Sequence, residues 1–142
     1  MATLAKATPR KFTTTEYEDY AVVASDKIFE GSLLGLASGY VRPLQAGDTF
    51  VGVAVETVDN TSGSAGDVKV KAATTLPFVM DVTGVSDVTS ISLPVYASDD
   101  NTLTLTEGSN SLIGIISNWI SGTSCVILPI LGSKEIYTDL ST

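Results

Sequence analysis

The side chains that could do chemistry in this chain are few and far apart. Cys125 stands in the apolar run Cys125-Val126-Ile127-Leu128-Pro129-Ile130, with no basic residue nearby in sequence to lower a thiol pKa. A buried small hydrophobe is its expected role. Asp99-Asp100-Asn101 offers hard oxygen ligands, yet the alternating acids, central glycine and terminal glutamate of a calcium loop are missing. An Asx-rich hairpin turn is expected there, and Asp48, Asp67 and Asp81, beside glycine or at strand ends, are assigned turn roles as well. Lys69 and Lys71 alternate with valines, which directs both to water. Trp119, the single tryptophan, has the size to fill a core or a subunit interface and the ring to stack on a sugar.

The chain contains no histidine, which removes Ser-His and Cys-His catalysis and most zinc sites. Neither a phosphate loop of the Gly-x4-Gly-Lys-Ser/Thr type nor a Gly-x-Ser-x-Gly elbow occurs. A protein without catalytic activity, cofactor, metal or small-molecule substrate is the expectation. The formal charge is −8, a sign that repels phosphate backbones, so nucleic acid is not an expected partner. That charge is uneven: Lys6, Arg10 and Lys11 fall in the first eleven residues, which carry no acid, leaving −11 on the rest. No segment approaches the ~20 apolar residues of a membrane span, and the amino terminus lacks the apolar core of a secretory signal. A soluble protein made in a cytoplasm is expected, with no membrane partner. One cysteine permits no internal disulfide.

The elements that must position these residues are strands. Val, Ile and Thr number 42 of 142 residues, and branched β-carbons favour a pleated surface over a helix. Turn signals recur about every 8 to 12 residues, the pattern of a sandwich or barrel. The expected fold is all-β: a small barrel or tulip-like sandwich over residues 16–131, a flexible arm over 1–15 and a tail over 132–142. Pro43, unable to donate to a ladder, suits an edge strand. Val51, Val53 and Val55 alternate with period two, which predicts one inward face. Val85 to Ile91 has apolar spacing that fits either a strand or one short helical turn. Phe50-Val51-Gly52-Val53-Ala54 is answered about sixty residues later by Leu112-Ile113-Gly114-Ile115-Ile116, and each copy leads through a polar loop to a second strand-like run. Two related β-units are implied, with Gly52 and Gly114 as points of close strand approach or bulging.

In order and spacing, Phe50 to Ala54, Gly66 to Lys71, Pro94 to Leu105, Leu112 to Ile116 and Cys125 to Leu131 resemble the capsid decoration, or cement, proteins of tailed bacteriophages. The resemblance implies a compact β-body, usually a homotrimer, on the outer surface of an expanded viral capsid in the virion. There it would clamp neighbouring copies of the major capsid protein, with an amino-terminal arm reaching along the shell. The charge asymmetry makes Lys6, Arg10, Lys11 and Phe12 the candidate capsid-binding residues, and Trp119 a candidate interface residue. The competing expectation is a β-sandwich carbohydrate-binding or adhesin-like module, with Trp119, Tyr40 and Tyr96 as stacking candidates.

Overall fold

The computed structural model describes residues 5–7, 9 and 16–130, and the chain is all-β, as the branched residues predict. The first five-stranded sheet takes β1 (Tyr17–Ala21), β3 (Leu33–Ala37), β4 (Tyr40–Pro43), β5 (Phe50–Ala54) and β7 (Lys69–Ala73) in the order β1-β7-β5-β3-β4. β2 (Asp26–Ile28) and β6 (Val58–Asn60) form a separate two-stranded ladder. The remaining strands, β8 (Phe78–Thr83), β9 (Pro94–Asp99), β10 (Thr102–Thr104), β11 (Ser111–Ser121) and β12 (Ser124–Pro129), close into a barrel ordered β10-β8-β12-β11-β9. Pro43 lies on the edge strand β4, where a missing N–H costs no ladder bond. The ambiguous segment after β8 contains one 3-10 turn, Val88–Ser90, capped by the Asp87 carboxylate accepting from the Thr89 N–H.

The two five-stranded assemblies have the same topology. Aligning β1 with β8, β3 with β9, β4 with β10, β5 with β11 and β7 with β12 reproduces the strand order of one in the other. Closure follows too: Leu103 pairs in parallel with Val82 in the second unit, and Val22 forms a parallel bridge with Val41 in the first. Individual hydrogen bonds repeat. The Val22 N–H donates to the Val68 carbonyl at 3.0 Å and the Val82 N–H to the Thr123 carbonyl at 2.9 Å. Likewise the Gly31 N–H donates to Ala54 and the Ser92 N–H to Ile116, both at 2.8 Å, with φ of +91° and +81° at the donors. The sequence echo is therefore the trace of a duplicated five-stranded unit: the second copy closes into a barrel, while the first is a sheet whose ends meet at the isolated Val22-Val41 bridge, and it carries the added β2-β6 ladder.

Both repeated glycines sit at a bulge of one kind. Leu34 lies opposite Gly52 and Gly35 opposite Phe50, so Val51 has no cross-strand partner. Tyr96 lies opposite Leu112 and Val95 opposite Gly114, which leaves Ile113 over in the same way. An extra residue reverses the inside-outside parity of a strand. Val51 and Ala54 consequently enter the core of the first unit, while Phe50 and Val53 point the other way. The expectation of one inward face for Val51, Val53 and Val55 fails for this reason: Val55 is 37% exposed, and the two other valines serve different clusters.

The interiors correspond position by position. Val22, Leu34, Val41 and Val51 of the first core match Val82, Val95, Leu103 and Ile113 of the second, and Ala54, Val70 and Ala72 match Ile116, Cys125 and Ile127. All are buried. The second core also takes in Leu33, Leu44 and Phe50 from the first unit, with the Phe50 and Phe78 rings 6.5 Å apart. β3 and β5 are thus buried on both faces, one lining their own unit and the other packed on the second.

Candidate functional site

Each chemically capable residue is explained first by its strand. Cys125 lies on β12 with its side chain inside the second barrel, fully buried, and its Sγ donates to the Thr123 carbonyl at 3.6 Å. Burial, with a smaller contribution from the Asp81 charge, raises its thiol pKa above the ordinary value. That opposes thiolate chemistry. Asp99 acts as an Asx turn, its carboxylate accepting from the Asn101 N–H at 2.8 Å and the Thr102 hydroxyl at 3.2 Å. Asp67 accepts from the Ser64 N–H at 2.8 Å, the turn role expected of it. Asp81 instead reaches across a strand to the Thr123 hydroxyl at 3.1 Å. Lys69 and Lys71 are both exposed on β7, as their alternation predicts.

Asp48 does more than shape a turn. Its carboxylate receives two bonds from the Arg42 guanidinium, at 3.0 and 2.8 Å, and a third from the Gln45 N–H at 3.0 Å. Burial alone would push the Asp48 pKa up, but these donors prevail and hold it below the usual carboxylate range. Donating to Asp48 in turn stabilises the charged guanidinium of Arg42 and raises its pKa. Gly35 lies beneath this carboxylate, and a β-carbon there would overlap it.

A cleft of about 370 Å³ is lined by Phe29, Glu30, Gly31, Ser32, Asp100 and Asn101. It marks the joint between the two units. The Ser32 hydroxyl donates to the Asp100 carboxylate at 2.9 Å, the Leu33 N–H donates to the Asp100 carbonyl at 3.0 Å, and Gln45 bridges Asp99. Phe29 is 61% exposed, with the Lys27 ammonium 5.0 Å from its ring centroid. None of these lining residues is a histidine, lysine or arginine, and the Ser32 hydroxyl proton engages the Asp100 carboxylate. Among the described residues no group of three or more His, Cys, Asp or Glu side chains is placed to hold a metal. No helix among them is long and apolar enough to cross a membrane.

The three stacking candidates are not all presented to solvent. Tyr96 is buried, Tyr40 is half-buried beside Gly66 in the first unit, and Trp119 packs against the second core. The Trp119 indole N–H donates to the Gly122 carbonyl at 2.9 Å within its own hairpin, so it is not a ready donor for a sugar hydroxyl. Of the candidate capsid-binding residues, Lys6 is exposed, while Arg10, Lys11 and Phe12 lie outside the described residues. Sequence reading missed Asn60: it stands at the head of the polar loop that follows the first repeated run, yet it is buried and donates to the Val23 and Ser64 carbonyls at 2.8 and 3.0 Å. It also missed the Ser32-Asp100 joint, since the two residues are 68 positions apart and no local pattern links them. Comparison with known proteins adds no relative, because no family model and no curated protein matches the chain.

Proposed function

We propose that this chain is a non-enzymatic structural protein that binds the outer surface of a viral capsid and stabilises it by bridging major capsid subunits. The observation that carries the reading is the placement of the five segments that resemble cement proteins. Phe50 to Ala54 forms β5, Lys69 to Lys71 opens β7, Pro94 to Leu105 spans the β9-β10 hairpin, and the last two segments run along β11 and β12. A second support is the doubled β-unit, sheet and barrel locked by a shared core. One chain then carries two rigid bodies in fixed relation, and contacts with adjacent subunits gain from effective concentration. A homotrimer on the virion surface multiplies those contacts further. Among the amino-terminal candidates, Lys6, Arg10 and Lys11 supply the positive charge that an acidic body lacks, and Phe12 adds an apolar contact.

Co-sedimentation of the purified protein with expanded capsids of its virus tests the reading. Saturable binding of the full chain is expected, with affinity reduced about tenfold or more when residues 1–12 are deleted. Full occupancy by the deleted chain at physiological salt removes the arm from the mechanism. No saturable binding by the intact chain removes the capsid reading itself.

A further inference from the structure

The duplication allows each surface of one unit to be compared with its equivalent on the other, and one pair disagrees. On the outside of the second barrel, Val79 on β8 pairs with Val126 on β12, and Leu128 on β12 pairs with Ile115 on β11, which in turn lies opposite Pro94 on β9. Their chain neighbours Cys125, Ile127 and Val95 point into the core, so these five share the outer face. They form an uninterrupted apolar strip across four strands. Val79 is 58% exposed and Leu128 44%.

The equivalent positions in the first unit are Asp19, Lys71, Ala73, Val53 and Leu33, placed by the same register: Asp19 pairs with Lys71, and Val53 with both Ala73 and Leu33. That face is apolar where Leu33 and Val53 pack on the second unit and charged where Asp19 and Lys71 meet water. Such is the normal division of a strand face between covered and solvated parts. The second barrel keeps the apolar half and replaces the charged half with Val79 and Val126, although none of the described residues packs over Val79 or Leu128 to bury them.

We infer that this strip is a self-association surface, occupied by a second copy of the chain. Within one chain, the matching positions Leu33 and Val53 already serve to dock one β-unit on another. A chain carrying −8 repels its copies, and a strip without charge is where two of them approach at least electrostatic cost. Burying exposed valine and leucine supplies the attraction.

Sedimentation velocity of the free full-length protein, over about a hundredfold range of concentration, reads the association directly. Wild type is expected to self-associate, and Val79→Lys and Leu128→Lys each to weaken that association about tenfold or more while circular dichroism stays unchanged. Val88→Lys, at a position 58% exposed on the 3-10 turn and off the strip, is expected to associate like wild type. Leu128→Gln provides the same reading should a lysine variant fail to fold. A wild type that stays monomeric throughout, or strip variants that associate as tightly as wild type, would overturn the inference. So would a chain ending at Ile130 that associates where the full chain does not, since that result gives the strip to residues 131–142. The inference rests on the homotrimer in the proposed function, and a monomeric wild type removes that trimer in free solution; no capsid is present in the experiment, so its failure leaves capsid binding by the chain standing, and the converse holds.

Discussion

At the scale of single residues, the polar chemistry of this protein is directed inward to its own architecture. Asp48 illustrates the point, because the donors that hold its pKa down also tie β4 to the turn before β5. Asp48→Asn is expected to cost about 1–2 kcal/mol, the Arg42 side being partly exposed and screened. A carboxylate with a depressed folded pKa contributes stability above its unfolded pKa, near 4, and loses it as pH falls through the lower folded value. The difference in melting temperature between wild type and Asp48→Asn should therefore be full at neutral pH and shrink as pH falls below the ordinary carboxylate range. Equal differences at both pH values would show that Asp48 acts by shape alone. Cys125 is the second case. Its buried, raised thiol should react with an aromatic disulfide at pH 8 roughly a hundredfold more slowly in native than in denatured protein.

Among the elements, the two bulged strands decide how the units pack. Gly52 takes φ of +153°, and a β-carbon there would lie 2.8 Å from the Ala73 carbonyl oxygen on β7. At Gly114 a β-carbon would overlap the Leu128 carbonyl on β12. Backbone cannot step aside as a flexible side chain can, so Gly52→Ala and Gly114→Ala are each expected to cost about 2–3 kcal/mol in chemical denaturation. Values below half of that would mean the strands separate easily at the bulge. Ser92 offers the opposite test. Its φ of +81° matches the +91° of its counterpart Gly31, and an L side chain is strained in that region. Ser92→Gly should stabilise the fold by about 0.5 kcal/mol, the relief of strain exceeding the added unfolded-state entropy. A lower melting temperature for this variant would show that the Ser92 side chain makes a contact worth more than the strain.

For the whole molecule, the shared core makes the two β-units into one cooperative body. Phe50 belongs to the first sheet by chain and to the second core by contact. Phe50→Ala should cost about 3–5 kcal/mol, and the loss should reach both units together. Trp119, the only tryptophan, reports from the second barrel, whereas far-ultraviolet circular dichroism reports from all strands. The two signals should give one coincident unfolding curve in wild type. Separate transitions would mean that Leu33, Leu44 and Phe50 do not couple the units. A rigid double body with an uncharged strip on an acidic surface suits a protein whose work is contact.

Much of this was legible from composition and spacing because local rules govern it. Branched residues dictated strands, glycine and Asx residues marked the turns, Pro43 marked an edge, and the repeated apolar-Gly-apolar segment announced two related units with bulges at Gly52 and Gly114. Period-two reading failed at β5, since a bulge is set by pairing with β3 and leaves the side-chain alternation in the sequence undisturbed. Asn60 was misread because burial of a polar residue depends on carbonyls brought to it from Val23, far along the chain. The candidate arm residues rest on charge alone, which sequence reports directly. What only the tertiary structure decided is the facing of the bulged strands and which apolar faces are covered, and with it the contrast between Asp19-Lys71 and Val79-Val126. The physical reason is that exposure belongs to a packed surface, and which face of a strand is covered follows from partners distant in sequence.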